Sequence, residues 1–353
     1  MNTNILNYRF LIHISYAYGI PIGKPLEAEI LRRGYEVKWF SEEKETRQYF
    51  SGNEKVLKDA KAVLQYNPQI VLCASNTVPD FFPGIKVQVF HGIDFDKRGN
   101  SKKGHFRIRG LFDLYCTHGP TNTIPFRYLT KHLKYCKVVE TGWPKLDLLF
   151  PVVAVPNKKP TIFLASTFTK NMSLAHDEEV YEVIRRLVEK DKWDWVINLH
   201  PKMDKEIVKK YKALQGNITY IDVLNDLEPL KKADVMLCDT SSITTEFIVQ
   251  NKPVVTYKNR NPGKHLVNIV NPSEIEATLE YALKRPEDLM DEIRKFIQIT
   301  HPYSDGKSAE RVLDTCIDFY ENKEKYVSGK KPLNLIRKIQ CRLKFRFFMK
   351  SFI

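Results

Sequence analysis

Short apolar runs alternate with helix-length amphipathic segments along nearly the whole chain, and the series occurs twice. That pattern constrains the fold more than any single motif does, because a strand–helix–strand chain closes most readily into a parallel, doubly wound sheet. In the first half, strands are predicted at Arg9–Ser15, Tyr35–Phe40, Gln69–Ala74, Ile85–Phe90, Leu111–Thr117 and Lys137–Thr141. Helices are predicted at Lys24–Arg33, with Gly34 as its stop, and at Asn53–Tyr66. Pro151–Lys159 is rich in proline and lysine, has no period, and reads as a linker. The pattern then restarts with strands at Thr161–Ala165, Asp194–Leu199, Asn217–Asp222, Val235–Cys238 and Val254–Tyr257. Helices are predicted between them at Asp177–Lys190, Asp204–Leu214 and Asp226–Lys232, and after them near Ser273–Lys284, Glu287–Ile299 and Lys307–Glu324. The expected architecture is α/β of the GT-B type, with two Rossmann-like domains whose parallel sheets face a central cleft. The expected boundaries are 1–150, 160–326 and a C-terminal tail, 327–353.

Charge narrows the partners. The net charge is +14, but residues 327–353 hold eight Lys or Arg and no acid. The rest of the chain lacks the excess that a broad basic face needs, so a nucleic-acid partner is not expected. No apolar run approaches the roughly 20 residues of a membrane span, and the first residues lack the pattern of a signal peptide. The six cysteines form no CxxC pair and read as reduced core thiols of a cytoplasmic protein. The nine histidines show no ligand spacing, so neither a metal site nor a cofactor is expected.

In open α/β sheets ligands bind beyond the carboxyl ends of the strands, and four motifs fall there. VFHGIDFDKRG follows the fourth predicted strand, TGWPKLD the sixth, NLHPK the strand at Asp194–Leu199, and CDTSSITTE the strand at Val235–Cys238. The run Asp239, Thr240, Ser241, Ser242 suits a helix cap, and small hydroxyls at a helix start also suit a phosphate. Glu246 lies one turn further along on a similar face.

Together the segments HGIDFDKRG, TGWPKLD, ASTFTKN, LHPK, DTSSITTE and YSDGKSAER resemble the CDP-glycerol glycerophosphotransferase family of teichoic-acid and related surface-polymer synthesis. The resemblance spans roughly His91 to Tyr320 and implies transfer of glycerol phosphate from CDP-glycerol to an acceptor hydroxyl, with release of CMP. On this reading His91 is the base and His200 steadies the phosphate or the leaving group, since an imidazole titrates near neutral pH. Ser241 and Ser242 hold the diphosphate, Glu246 the ribose hydroxyls, and Thr167 closes the pocket. Pro201, Lys202, Asp239 and Thr240 complete the donor side, and Gly92, Asp94 and Lys97 lie on the acceptor side. Asp96, Thr169 and Thr240 stand where that family's pattern carries Lys, Arg and Tyr. CDP-ribitol, or a nucleotide sugar used by a GT-B glycosyltransferase or an epimerase-like enzyme, therefore stays open as the substrate.

In the tail, Leu333, Ile336, Ile339, Leu343 and Phe347 fall on one helical stripe flanked by cations. Such a segment suits an anionic membrane surface. It is expected to anchor the protein peripherally on the inner face of the membrane, beside a lipid-linked or saccharide acceptor; the alternative is a final helix that packs back across the two domains.

Overall fold

The computed structural model describes residues 7–93, 106–152, 158–221 and 227–347. They form two units, one running to Leu148 and resuming at Asp305, the other spanning Leu149 to Ser304. Each is built on a six-stranded parallel sheet.

The first sheet contains β1 (Arg9–Ile14), β2 (Glu36–Ser41), β3 (Ile70–Cys73), β4 (Ile85–Gln88), β5 (Leu114–Thr117) and β6 (Lys137–Glu140), in the order β2-β1-β3-β4-β5-β6. Its helices are α1 (Ile20–Arg32), α2 (Ala60–Tyr66) and α3 (Pro120–Thr130). α1 begins four residues before the predicted start, with Pro21 in its first turn, and Gly23 lets the helix lie close against the sheet. A Cβ there would stand 2.2 Å from the Trp39 ring. α2 is shorter than predicted. Its start is set by Asp59, whose carboxylate accepts from Ala62 N–H. The preceding residues pair with the edge strand instead: Trp39 N–H donates to Lys55 O, and Leu57 N–H to Trp39 O. An open strand edge outweighs helix propensity at this point.

The second unit contains β7 (Thr161–Ser166), α4 (Glu178–Glu189), β8 (Asp194–Leu199), α5 (Lys205–Lys212), β9 (Ile218–Tyr220) and α6 (Glu228–Lys232). It continues with β10 (Val235–Cys238), α7 (Ile243–Ile248), β11 (Val254–Tyr257), β12 (Val267–Ile269), α8 (Ile275–Leu283) and α9 (Glu287–Thr300). The strand order is β12-β11-β10-β7-β8-β9. Asp177 and Asp204 cap α4 and α5 with their carboxylates. α4 buries Val180, Ile184, Leu187 and Val188 against this sheet's core, the one-sided spacing that marks it in the sequence. Lys252 is buried, and its ammonium donates to the carbonyls of Leu230, Lys231 and Ala233, closing the end of α6.

The chain then returns to the first unit as α10 (Ser308–Glu321), α11 (Lys323–Tyr326) and α12 (Leu335–Lys344). This corrects the expected boundaries: α10 packs on α1 and does not belong to the second domain. The tail is not separate either. Ser328 and Gly329 donate to Lys134 O, and Lys331 pairs with Asp113 at 2.6 Å. Arg342 pairs with Asp80 at 3.0 Å, and Lys344 with Glu42 at 2.7 Å. Phe347 stacks on Phe81 at 4.1 Å. Arg342 and Lys344 of α12 thus engage the protein, while Leu335, Ile336, Ile339 and Leu343 are exposed. Among the described residues no helix is long and apolar enough to cross a membrane.

Glu42 joins the tail to the first sheet, since it also lies 3.1 Å from Nε2 of the buried His13 on β1. Burial alone would raise its pKa, but His13 and Lys344 outweigh burial and hold it at about 2 against an ordinary 4.5. A carboxylate lowered by folding contributes its stability above the ordinary value and loses it as pH falls through the folded one. The excess stability of the wild type over Glu42→Gln is therefore expected to be full at pH 5 and to vanish towards pH 2. Urea midpoints of the two proteins across that range check it, and a pH-independent difference would refute it.

Candidate active site

The second sheet has its topological switch point between β7 and β10. From β7 the chain steps outwards through β8 and β9, then returns to β10 on the other side of β7. The crevice for a ligand in such a sheet lies at the carboxyl ends flanking that reversal. Thr167 follows β7, Asp239 to Ser242 follow β10, and His200 follows β8, so these groups stand on three adjacent strand ends.

They do not all play the same part. Asp239 is fully buried. Its carboxylate accepts from Ser166 Oγ at 2.7 Å, from Thr167 N–H at 3.0 Å and from Leu174 N–H at 3.1 Å. It clamps the loop after β7 rather than presenting oxygens to a ligand. Thr240 Oγ1 accepts from Arg260 N–H at 3.1 Å, which ties the turn to the loop after β11. Ser242 sits at the start of α7, and its hydroxyl makes no capping bond there. Ser241 and Ser242 are half-buried, and Glu246 is buried one turn along α7.

The geometry defines the protonation of His200. Its Nδ1 accepts from the backbone N–H of Lys202 at 3.0 Å. That nitrogen therefore keeps its lone pair, and in the neutral ring the proton resides on Nε2. The ring packs on Phe168 at 4.5 Å between centroids, with Lys202 Nζ 5.9 Å from the centre of the same phenyl. Pro201 and Lys202 are exposed. Held this way, His200 is a hydrogen-bond donor through Nε2. The sequence reading missed Phe168, because a lone aromatic after a strand carries no pattern.

In the first unit the chain reverses between β1 and β3. His91 lies two strands from β1, just past β4, and is half-buried. The residue before it, the buried Phe90, has φ +59°, a left-handed conformation that costs energy in a non-glycine residue. That strained residue turns His91 out of the strand, and the imidazole comes 5.5 Å from the Tyr18 ring. Gly92 has nothing within 4 Å of where a Cβ would sit. Asp94 and Lys97 lie outside the described residues.

Two further motifs prove to be scaffold. Asp147, the last residue of TGWPKLD, accepts from Ser308 N–H at 2.8 Å and from Ala309 N–H at 2.7 Å, fastening the start of α10. Arg311, the last residue of YSDGKSAER, donates to Thr141 O at 2.8 Å and pairs with Asp305. The two segments lock one another in place, so they report a shared fold and say nothing about a donor.

The sequence profile of the UDP-N-acetylglucosamine 2-epimerase family matches residues 134–316, just over half of the chain. No curated protein matches the chain by sequence. Among solved structures, a UDP-N-acetylglucosamine 2-epimerase from Listeria monocytogenes, described as putative, is similar at 14% identity and a TM-score of 0.64, over 93% of this chain and 100% of that one. MnaA of S. aureus, solved with UDP, is similar at 17% identity and a TM-score of 0.63, over 92% of this chain and 100% of that one. The wall teichoic acid polymerase TagF is similar at 14% identity and a TM-score of 0.64, over 90% of each chain. Identities this low establish the GT-B-like α/β fold alone.

These findings overturn the resemblance to CDP-glycerol glycerophosphotransferases. The profile that matches is that of an epimerase family, and the polymerase shares only the fold. Transfer of glycerol phosphate falls with the resemblance, as do CDP-glycerol and CDP-ribitol as donors and a lipid-linked acceptor. The motifs misled because Asp147, Arg311 and Asp239 hold the scaffold. The anionic membrane surface falls too, since Lys331, Arg342 and Lys344 of the tail engage Asp113, Asp80, Glu42 and Glu43. The enzyme class open at the sequence level, a nucleotide-sugar epimerase, is the one the profile supports: the chain belongs to the UDP-N-acetylglucosamine 2-epimerase family.

Proposed function

We propose that this protein is a nucleotide-sugar 2-epimerase acting on a UDP-linked N-acetylhexosamine. The observation that carries the reading is the span of the family match, residues 134–316, which takes in every candidate group at the switch point of the second sheet. In this reading the second unit binds the nucleotide. Ser241, Ser242 and the Nε2–H of His200 donate to the diphosphate, where donors preorganised in a partly buried edge act without reorganising. Glu246 accepts from the ribose hydroxyls. Thr167 lines the same edge, and Asp239 keeps its loop in place. Inversion at C2 requires a proton to leave one face of the sugar, its electron pair forming a C1–C2 double bond as UDP departs from C1, and a proton to return to the opposite face of C2 as UDP re-adds at C1, so an acid and a base are needed. His91 is assigned to one of these roles. Among the described residues no disulfide joins the cysteines, which suits a reducing compartment, and the reaction is assigned to the cytoplasm.

The test is incubation with UDP-N-acetylglucosamine in deuterated water. The expected result is the 2-epimer carrying deuterium at C2, read by proton NMR. Neither epimer nor exchange would refute the reading. UDP should also stabilise the protein, by about 2.7 kcal/mol at a hundredfold excess over its Kd, and more than CDP does at the same concentration. Equal thermal shifts for the two nucleotides would count against a uridine site.

A further inference from the structure

In the second unit, the loop after β11, from Lys258 to Gly263, is fastened to the turn that follows β10. β10 and β11 are parallel neighbours, so both segments leave the sheet at the same carboxyl edge. Arg260 N–H donates to Thr240 Oγ1 at 3.1 Å, and the Asn259 side-chain amide donates to Asp239 O at 3.4 Å. Within the loop, Asn259 Oδ1 accepts from Asn261 N–H at 2.9 Å, while Asn259 N–H donates to Asn268 Oδ1 at 2.9 Å. Lys258 opens the loop with φ +48°, a left-handed conformation that persists in a non-glycine residue only where its neighbours hold it. Its N–H donates to Ile269 O at 2.9 Å, and its ammonium pairs with Asp177 at 3.3 Å. The path of the loop is therefore fixed at both of its ends.

The charges at this edge are unevenly committed. The Asp239 carboxylate is buried under its own donors. Lys258 is engaged by Asp177, and Lys202 lies over the Phe168 ring. Arg260 is exposed, and among the described residues no carboxylate pairs with it. Only its backbone makes the anchoring bond, which leaves the whole guanidinium for another partner. The groups assigned above to the diphosphate, Ser241, Ser242 and the Nε2–H of His200, donate hydrogen bonds without a fixed charge. A diphosphate is multiply anionic, and a guanidinium offers it a permanent charge and a planar fork of donors. The distance is short as well. Ser241 directly follows the anchor Thr240, and consecutive Cα atoms lie about 3.8 Å apart.

We propose that Arg260 is the cation that binds the diphosphate of the substrate, and that Thr240 positions it through the bond to its backbone. The assignment rests on the nucleotide-sugar reading above and adds to it the residue that answers the charge of the nucleotide.

The experiment is calorimetric titration of the full chain with UDP and with uridine, at low and at high salt. Arg260→Ala keeps the backbone bond to Thr240 and removes only an exposed side chain, so the fold should be retained. Its Kd for UDP should rise roughly tenfold or more, as expected for a lost hydrogen bond between charged groups, while the Kd for uridine stays unchanged. The weakening of UDP binding by salt should become shallower in this variant. Arg260→Lys keeps the charge without the fork and should fall between Arg260→Ala and the wild type. Thr240→Val removes the anchoring acceptor. It should weaken UDP binding by a smaller factor, and should add little in the double variant with Arg260→Ala, because both changes act through one side chain. An unchanged Kd for UDP in Arg260→Ala, or an equal loss for UDP and uridine, would overturn the assignment of Arg260. Full additivity in the double variant would overturn the positioning role of Thr240. Failure of the wild type to bind UDP would instead remove the nucleotide-sugar reading, and the ligand of Arg260 with it.

Discussion

His91→Ala is expected to lower turnover by roughly a hundredfold or more, the usual contribution of a positioned acid or base, while the melting temperature stays close to that of the wild type. The side chain is half-buried at a strand end, so its removal leaves no large cavity. The strain that aims it resides in Phe90, which the substitution leaves alone. Deuterium exchange at C2 gives a second readout of the same variant. A group that moves the proton should lose exchange and epimerisation together. A group that merely binds should raise KM and leave exchange at saturating substrate near normal. Normal exchange in folded His91→Ala would take His91 out of the proton transfer.

Asp239→Ala is expected to cause the largest loss of stability. The carboxylate is fully buried and accepts from Ser166 Oγ and from the N–H groups of Thr167 and Leu174. Ser166 also bonds Ser173, whose hydroxyl meets His176, so the clamp organises the whole connection from β7 to α4. Removing the acceptor leaves several buried donors unmet, each costing about 1–3 kcal/mol, for a total on the order of 3 kcal/mol or more. For a unit of this size that lowers Tm by roughly 10 °C. Asp239→Asn keeps one carbonyl acceptor and should lose less. Loosening this loop should also weaken UDP binding, although Asp239 touches no nucleotide in the proposed arrangement. A urea midpoint for Asp239→Ala equal to that of the wild type would mean that the loop does not depend on this clamp.

The candidate site was partly legible and partly not. Histidines and serines at strand ends could be picked out because the strands themselves are marked by apolar runs, and ligands gather at one end of such sheets. Their division of labour could not. Asp239 reads as one more polar residue of a turn until its three partners appear, one of them Ser166 at the end of β7. Nothing local marks Phe168 either. It gains meaning only where sheet order places the switch point of the second sheet.

Side-chain periodicity and capping are short-range, so the linear chain already specified two parallel α/β units, most of their strands, and helix starts such as Asp177 and Asp204. What depended on distant partners needed the folded molecule. α10 belongs to the first unit because α1, nearly the whole chain away, supplies its packing face. The tail docks because Asp80 and Glu42, 262 and 302 residues from Arg342 and Lys344, stand where its cations arrive. Read alone, the same cations over an apolar stripe point to lipid, because a sequence records a charge but not its counter-charge. The motifs TGWPKLD and YSDGKSAER likewise look like substrate machinery until Asp147 and Arg311 are seen fastening the scaffold. Burial and long-range pairing, which decide whether a polar residue serves the fold or faces a ligand, are properties of three-dimensional contact.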